Sequence, residues 1–388
     1  MKKIHAPWIA ASAIFLAPFS AFATEVSPAP STIAQASPNA ELIRKLQLLE
    51  QKQQELEQEI ESLRQQISPQ SGTAKKPTSD QVGVTAPEKR PQQFEVSAEA
   101  LFLKARTSNA MDFAIVDSGQ ALAVSGDLAR VRYEDPTALR VGLTYRPEKT
   151  AWEVAATHMF FNTGGQQSAV RPTQGFLYST LTHPVQNDSA NTADASARMN
   201  YAATDAELAY RFKIGQSLGV RVFGGLRFAT VNQVMNVAYD GRDFNQATAR
   251  IENRLSGFGP RMGAQADLRL GKDFSLFGRG AGMILVGNRT TSYEETDNNR
   301  ADLVARISQD KYQTFVPGLE FALGVSWQPK ISQQATLNVS AGYEYQHLFN
   351  VSNSIRFVDG ASPGVFSESQ NDFSFQGFFM KLGISSEF

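Results

Sequence analysis

Cysteine is absent from all 388 residues, so neither disulfides nor thiolate metal sites are available to this chain. Histidine is scarce, and beyond the first few residues only His158, His183 and His347 remain. A strong net charge is missing too: 37 Lys and Arg stand against 38 Asp and Glu, which argues against nucleic acid as a partner. Long apolar runs are nearly absent. The single apolar stretch, Ile9 to Phe22, is interrupted by Ser12, Pro18 and Ser20 and is short for a membrane helix. Nothing after it approaches spanning length, so any membrane crossing has to be made by strands.

Lys2 and Lys3 precede that stretch, and Ala21, Phe22 and Ala23 close it. This is the charge, core and small-residue order of a cleavable signal peptide over residues 1–23, with cleavage expected after Ala23. Residues 24–39, mostly Pro, Ser, Ala and Thr, have no periodicity and read as a flexible leader. Over residues 40–68 a heptad seam follows, with Leu42, Leu49, Leu56 and Leu63 at one position and Leu46, Gln53, Ile60 and Ile67 at the other. A lone helix of this length is marginal in water, so the seam predicts a short coiled coil and a homo-oligomer held by it. Residues 69–92, rich in Pro, Lys and Thr, read as a linker.

From residue 93 onward the period changes to two. Leu139, Val141, Leu143 and Tyr145 alternate with Arg140, Gly142, Thr144 and Arg146; Leu208, Tyr210 and Phe212 alternate with Glu207, Ala209 and Arg211. The last strand alternates Phe378, Met380, Leu382 and Ile384 with Lys381, Gly383 and Ser385 and ends on Phe388, an arrangement that reads as the assembly signal of a bacterial outer-membrane barrel. Short connections at 147–150, 214–217, 271–272 and 329–334 alternate with long ones at 105–136, 162–200, 233–258, 288–312 and 350–371. The expected fold is therefore all-β: a transmembrane antiparallel up-and-down β-barrel of about ten strands over 93–388, preceded by a periplasmic helical coiled coil. Twelve strands is the alternative, because 105–136 or 162–200 has room for another hairpin.

The polar parity of the strands carries Glu99, Arg140, Glu153, Glu207, Arg211, Arg221, Arg227, Asp267, Arg269, Glu320, Glu344 and Lys381. An arginine facing lipid at the midplane costs about 2 to 4 kcal/mol, so these side chains are expected inside, either lining a pore or filling it with ion pairs. Aromatics near strand ends, among them Trp152, Phe161, Tyr201, Tyr210 and Trp327, are candidates for interfacial girdles. Catalysis finds little support: His183 has Asp188 and Asp194 nearby in one long connection, but no Asp-x-His or His-x-Ser spacing occurs. Asp297, Asp302 and Asp310 have only ordinary loop charge density for a divalent ion. No cofactor and no enzymatic activity are expected. The expected partners are outer-membrane lipid, the barrel-assembly machinery through the last strand, and an extracellular partner at the long connections.

Four stretches, Glu99 to Ala105, Phe258 to Gly263, Phe274 to Gly278 and Gly342 to Gln346, resemble in order and spacing the Legionella major outer membrane protein family. The resemblance covers most of 94–388 and none of the coiled coil. It implies a porin-like barrel in a Gram-negative outer membrane, with attachment to host cells in some members, and it offers no catalytic residues. Leu103 stands where an aromatic is common, and without cysteine no disulfide cross-linking carries over. Two functions follow as expectations: a passive diffusion channel for small hydrophilic solutes, or a plugged structural or adhesive barrel acting through its loops.

Overall fold

The computed structural model describes residues 84–85 and 91–388, apart from 109–110, 120–123, 186–188, 359–361 and 363, together with Gln51, Lys52 and Gln58. The signal peptide, the leader and the coiled-coil seam lie outside the described residues. In chain order the first strands are β1 (Val84–Thr85), β2 (Gln93–Thr107), β3 (Asp112–Asp117), β4 (Gly126–Arg130) and β5 (Thr137–Arg146). They are followed by β6 (Trp152–Val170), β7 (Phe176–Ser179), β8 (Ser189–Ala190), β9 (Thr192–Ile214) and β10 (Leu218–Gly241). The chain ends with β11 (Phe244–Gly271), β12 (Phe274–Asp297), β13 (Asp302–Trp327), β14 (Ala335–Phe357) and β15 (Phe366–Glu387).

Strands β2, β5, β6 and β9 to β15 pair antiparallel in that order, and β15 returns to β2 through pairs from Phe373↔Thr107 to Glu387↔Gln93. The result is a closed barrel of ten strands, which removes free edges over the paired length. The segment expected to be a linker contains β1, which pairs with the foot of β9 at Val84↔Ile214 and Thr85↔Lys213. The extra strands hidden in 105–136 and 162–200 do not enlarge the barrel to twelve. They form a separate sheet in the order β4-β3-β7-β8.

The long connections expected at 233–258 and 288–312 are mostly strand. β10 and β11 are joined at Gly241 and Arg242, and β12 and β13 turn at Asn298 to Arg300; all five residues have positive φ. The expectation failed because apolar residues change parity along each strand. On β10, Val222, Leu226 and Phe228 are exposed on the outer face, whereas farther along Val231, Met235, Val237 and Tyr239 are buried on the inner face and Asn232 lies outside. β11 repeats this with Phe258, Met262 and Leu268 outside and Leu255, Ile251 and Ala249 inside. The turn-end half therefore presents an apolar exterior to lipid, and the far half is a water-exposed wall with an apolar interior.

Two rows of aromatics bound the lipid band. Near the turns Trp152 meets Tyr210 edge-on at 5.1 Å and Phe274 stacks with Trp327 at 6.0 Å. At the other boundary Phe102, Phe160, Phe228, Phe258, Phe315 and Phe378 are all exposed, as expected of interfacial aromatics. Phe161 and Tyr201 are not girdle residues; they point inward and are buried.

Candidate functional site

Inside the lipid band the inward residues are ionic. Glu153 on β6 accepts from Arg146 Nε at 2.6 Å and from Arg211 Nε and Arg221 Nε at 2.7 Å each, so three guanidinium groups converge on one carboxylate. Arg221 continues to Glu207 at 2.9 Å, and Glu207 also accepts from Arg261. Arg227 on β10 forks onto Asp205, with contacts of 2.5 and 2.6 Å, and donates across the lumen to Glu320 on β13, which Arg261 reaches as well. On the other side Arg140 donates to Glu99 at 2.5 Å and to both oxygens of Glu344 at 2.7 and 3.0 Å. Phe223 sits beneath two of the arginines, with the guanidinium carbons of Arg221 and Arg261 at 4.8 and 5.0 Å from its ring centre. Burying such charges is tolerable only because each is paired and hydrogen-bonded.

Between this network and the turns lies a cavity of about 900 Å³. Every lining candidate from the sequence borders it except Glu344, which stands behind Arg140. Asp267 accepts from Gln265 at 2.9 Å, Arg269 is exposed near the rim, and Lys381 reaches Glu95 at 3.4 Å. Arg146 and Asp205, also on the polar parity read from the sequence, belong to the same network, as do Glu95 and Arg261, which lie outside that candidate set. Arg261 was legible: counting back in twos from Arg269 through Asp267 reaches it on the same face of β11.

Above the ionic layer the lumen turns apolar. Phe161, Tyr201, Phe373 and Phe375 form a four-ring cluster in which every pair of ring centres lies between 5.2 and 6.4 Å. Leu101, Leu103, Met199, Leu285 and Val316 pack around it, all buried. Beyond this plug the small sheet fills the far end, where Tyr239 OH donates to Phe113 O at 2.5 Å and Tyr293 OH lies 2.8 Å from Leu181 O.

Among the described residues the remaining candidate groups do not come together in one site. His183 donates its backbone N–H to Glu295 at 2.6 Å and sets its ring edge-on to Phe357, while Asp194 accepts from Ser168. Asp188 lies outside the described residues. His347 has an unforeseen carboxylate partner, Asp372 at 3.3 Å, with Tyr345 OH 3.0 Å from its other ring nitrogen. Asp297 and Asp302 face each other across a hairpin and hold Asn245 and Asn298. Among the described residues no group of three His, Asp or Glu is placed to hold a metal ion.

Residues 85–386 match the profile of the family described as Legionella pneumophila major outer membrane protein precursor. The chain belongs to the Legionella major outer membrane protein family. As a family member it is an outer-membrane β-barrel, and the match begins within β1 and ends within β15. The resemblance read from the strand motifs is borne out.

Among solved structures it is similar to the outer membrane protease OmpT of Escherichia coli, at 10% identity over 78% of this chain and 99% of that one, with a TM-score of 0.42. The translocator domain of the autotransporter NalP from Neisseria meningitidis matches at 11% identity over 78% and 90%, TM-score 0.32. A Pseudomonas aeruginosa FadL homologue matches at 9% over 77% and 90%, TM-score 0.28. No curated protein matches the chain.

Proposed function

We propose that this family member is a porin-like, non-enzymatic barrel that passes small hydrophilic solutes, and that the described state is its closed form. The observation that carries this reading is the cavity of about 900 Å³ lined by both signs of charge. A barrel that only displayed loops would gain stability by packing this space, because tight packing is the rule in protein interiors. In this reading the turn end faces the periplasm, β15 with Phe388 engages the assembly machinery, and residues 40–68 form a periplasmic coiled coil that joins copies. Single-channel recording of the refolded full chain tests it. Discrete conductance steps support the channel, and correctly folded, heat-modifiable protein that never conducts rejects it.

The apolar plug favours a second reading, a structural or adhesive barrel that acts through its far end. Its test removes the connection between β6 and β9, residues 171–191, which lies outside the barrel strands. Loss of surface attachment with permeability unchanged supports it, and the reverse result rejects it.

A further inference from the structure

The barrel wall is split beyond the lipid band, and the two sides of the split are unlike. β12 and β13 are paired almost to their common turn, and β14 and β15 are paired up to Phe357↔Phe366. β13 and β14, however, pair only from Trp327↔Val339 to Gly318↔Leu348. From Asp302 to Pro317 the edge of β13 toward β14 has no strand partner among the described residues.

Two local features end the ladder there. The next pair in register would be Pro317 with Phe349, and proline has no N–H to give. On β14, Asn350 has φ 56 and the register against β15 slips between Leu348 and Ser352, a bulge that re-aims the strand. The bulge turns β14 into the barrel. Val351, Ser352, Asn353, Ser354 and Ile355 are all buried, both parities alike, which a strand in the wall of a barrel would not show. Val351 joins the plug around the four aromatic rings, and Ile355 joins the far apolar cluster.

Side chains stand in for the missing neighbour. The backbone N–H of Asn353 donates to Asn253 on β11 at 3.1 Å, and Asn350 O accepts from Arg289 at 3.0 Å. The inward seat is poorly satisfied. Asn353 Nδ2 donates to Tyr312 on β13 at 2.9 Å and to Glu368 on β15 at 3.1 Å, but Ser352 Oγ, Asn353 Oδ1 and Asn371 Oδ1 are buried without a hydrogen-bond partner among the described residues. Arg289, 1% exposed, is held by the neutral oxygens of Tyr312 and Asn350, with no carboxylate in ion-pair range among the described residues. Each such group carries a desolvation cost that pairing would relieve.

We infer that the outer half of β14, with its partner stretch of β15, is the gate of the barrel, and that the occupant of the free β13 edge is β14 itself. In the closed state β14 leans inward as part of the plug. In the open state it zips onto β13 in continued register, Thr314 opposite Ser352 and Gln313 opposite Asn353, and completes the wall. The strip it uncovers, Asn253, Arg289 and Thr291, is polar, as a route for hydrophilic solutes requires. This rests on the channel reading above.

The cysteine-free chain permits a direct test by two disulfide locks in the full-length protein in lipid vesicles. Asn253→Cys with Asn353→Cys traps the inward position, and Gln313→Cys with Asn353→Cys captures the zipped wall. Cross-link formation is followed by mass spectrometry alongside conductance. Both cross-links are expected to form, the first silencing conductance, the second raising it several-fold, and reduction reversing both. If the 313–353 cross-link does not form in folded protein, or if conductance is indifferent to both locks, the gate is wrong and the channel reading stands on its own conductance. A 313–353 cross-link in protein that never conducts keeps the strand movement and rejects the channel. Should that variant fail to fold, Thr314→Cys with Ser352→Cys reports the same register.

Discussion

Arg140 on β5 grips Glu344 on β14 through both carboxylate oxygens, at 2.7 and 3.0 Å, across the seam where the last strand closes on the first. The pair joins residues 204 positions apart and is almost wholly inside the barrel. Its tie to Glu99 on β2 fastens a third strand at the same place.

Removing one member of this group leaves its partners charged and dry. Arg140→Leu is expected to cost about 3–5 kcal/mol, and Arg140→Leu with Glu344→Leu to cost less than the two single changes added together. Urea unfolding of the barrel in lipid vesicles measures both. A loss in the double variant equal to the sum of the two single losses would show that the pair is not coupled.

The lipid band supplies an independent check. Leu323 is 61% exposed on β13, within the lipid band between Phe315 and Trp327. Leu323→Arg is expected to destabilise the inserted barrel by about 2–4 kcal/mol. The same unfolding experiment reads it, with Gln313→Arg, beyond the band on the same strand, expected to be nearly neutral.

Glu295 lies on the projecting part of β12, beyond the lipid band, beneath the 181–183 segment. Burial raises its carboxyl above the ordinary 4.5, opposed by its bonds to Tyr293 and to the His183 backbone. The folded chain thus holds the proton more tightly than the unfolded one. The resulting stabilisation is fully present below pH 4.5 and is lost as pH rises through the raised value. Amide exchange around His183, corrected for intrinsic rate, is expected to speed up on going from acid to neutral pH, and Glu295→Gln is expected to remove that dependence.

For residues 40–68 the prediction comes from heptad spacing alone. Replacing Leu49, Leu56 and Leu63 with serine is expected to dissociate the assembly in detergent while leaving barrel folding intact. Analytical ultracentrifugation decides it; an unchanged mass would assign any self-association to the barrel walls.

Much of the barrel was readable in advance because strand alternation is a local signal. Glu207 and Arg211 facing opposite to Leu208 and Tyr210 already separate lumen from lipid. The far halves of the strands were misread as loops for the same local reason: between Phe228 and Val231 the apolar residues move to the other face, and the alternation looks as though it has ended. Phe161 and Tyr201 fell to the same error, since an aromatic near a strand end has no mark in the sequence to say which way it points.

Strands as the membrane-crossing element, their number of about ten and the inward parity within the lipid band are legible in the chain alone, because period two and turn chemistry act between near neighbours. Which charge meets which, the closing of the lumen by four rings from β6, β9 and β15, and the departure of β14 from β13 at Pro317 emerge only in the folded barrel. Those outcomes depend on barrel closure, which brings together groups far apart in the chain, and spacing along the sequence carries no information about contacts made across a lumen.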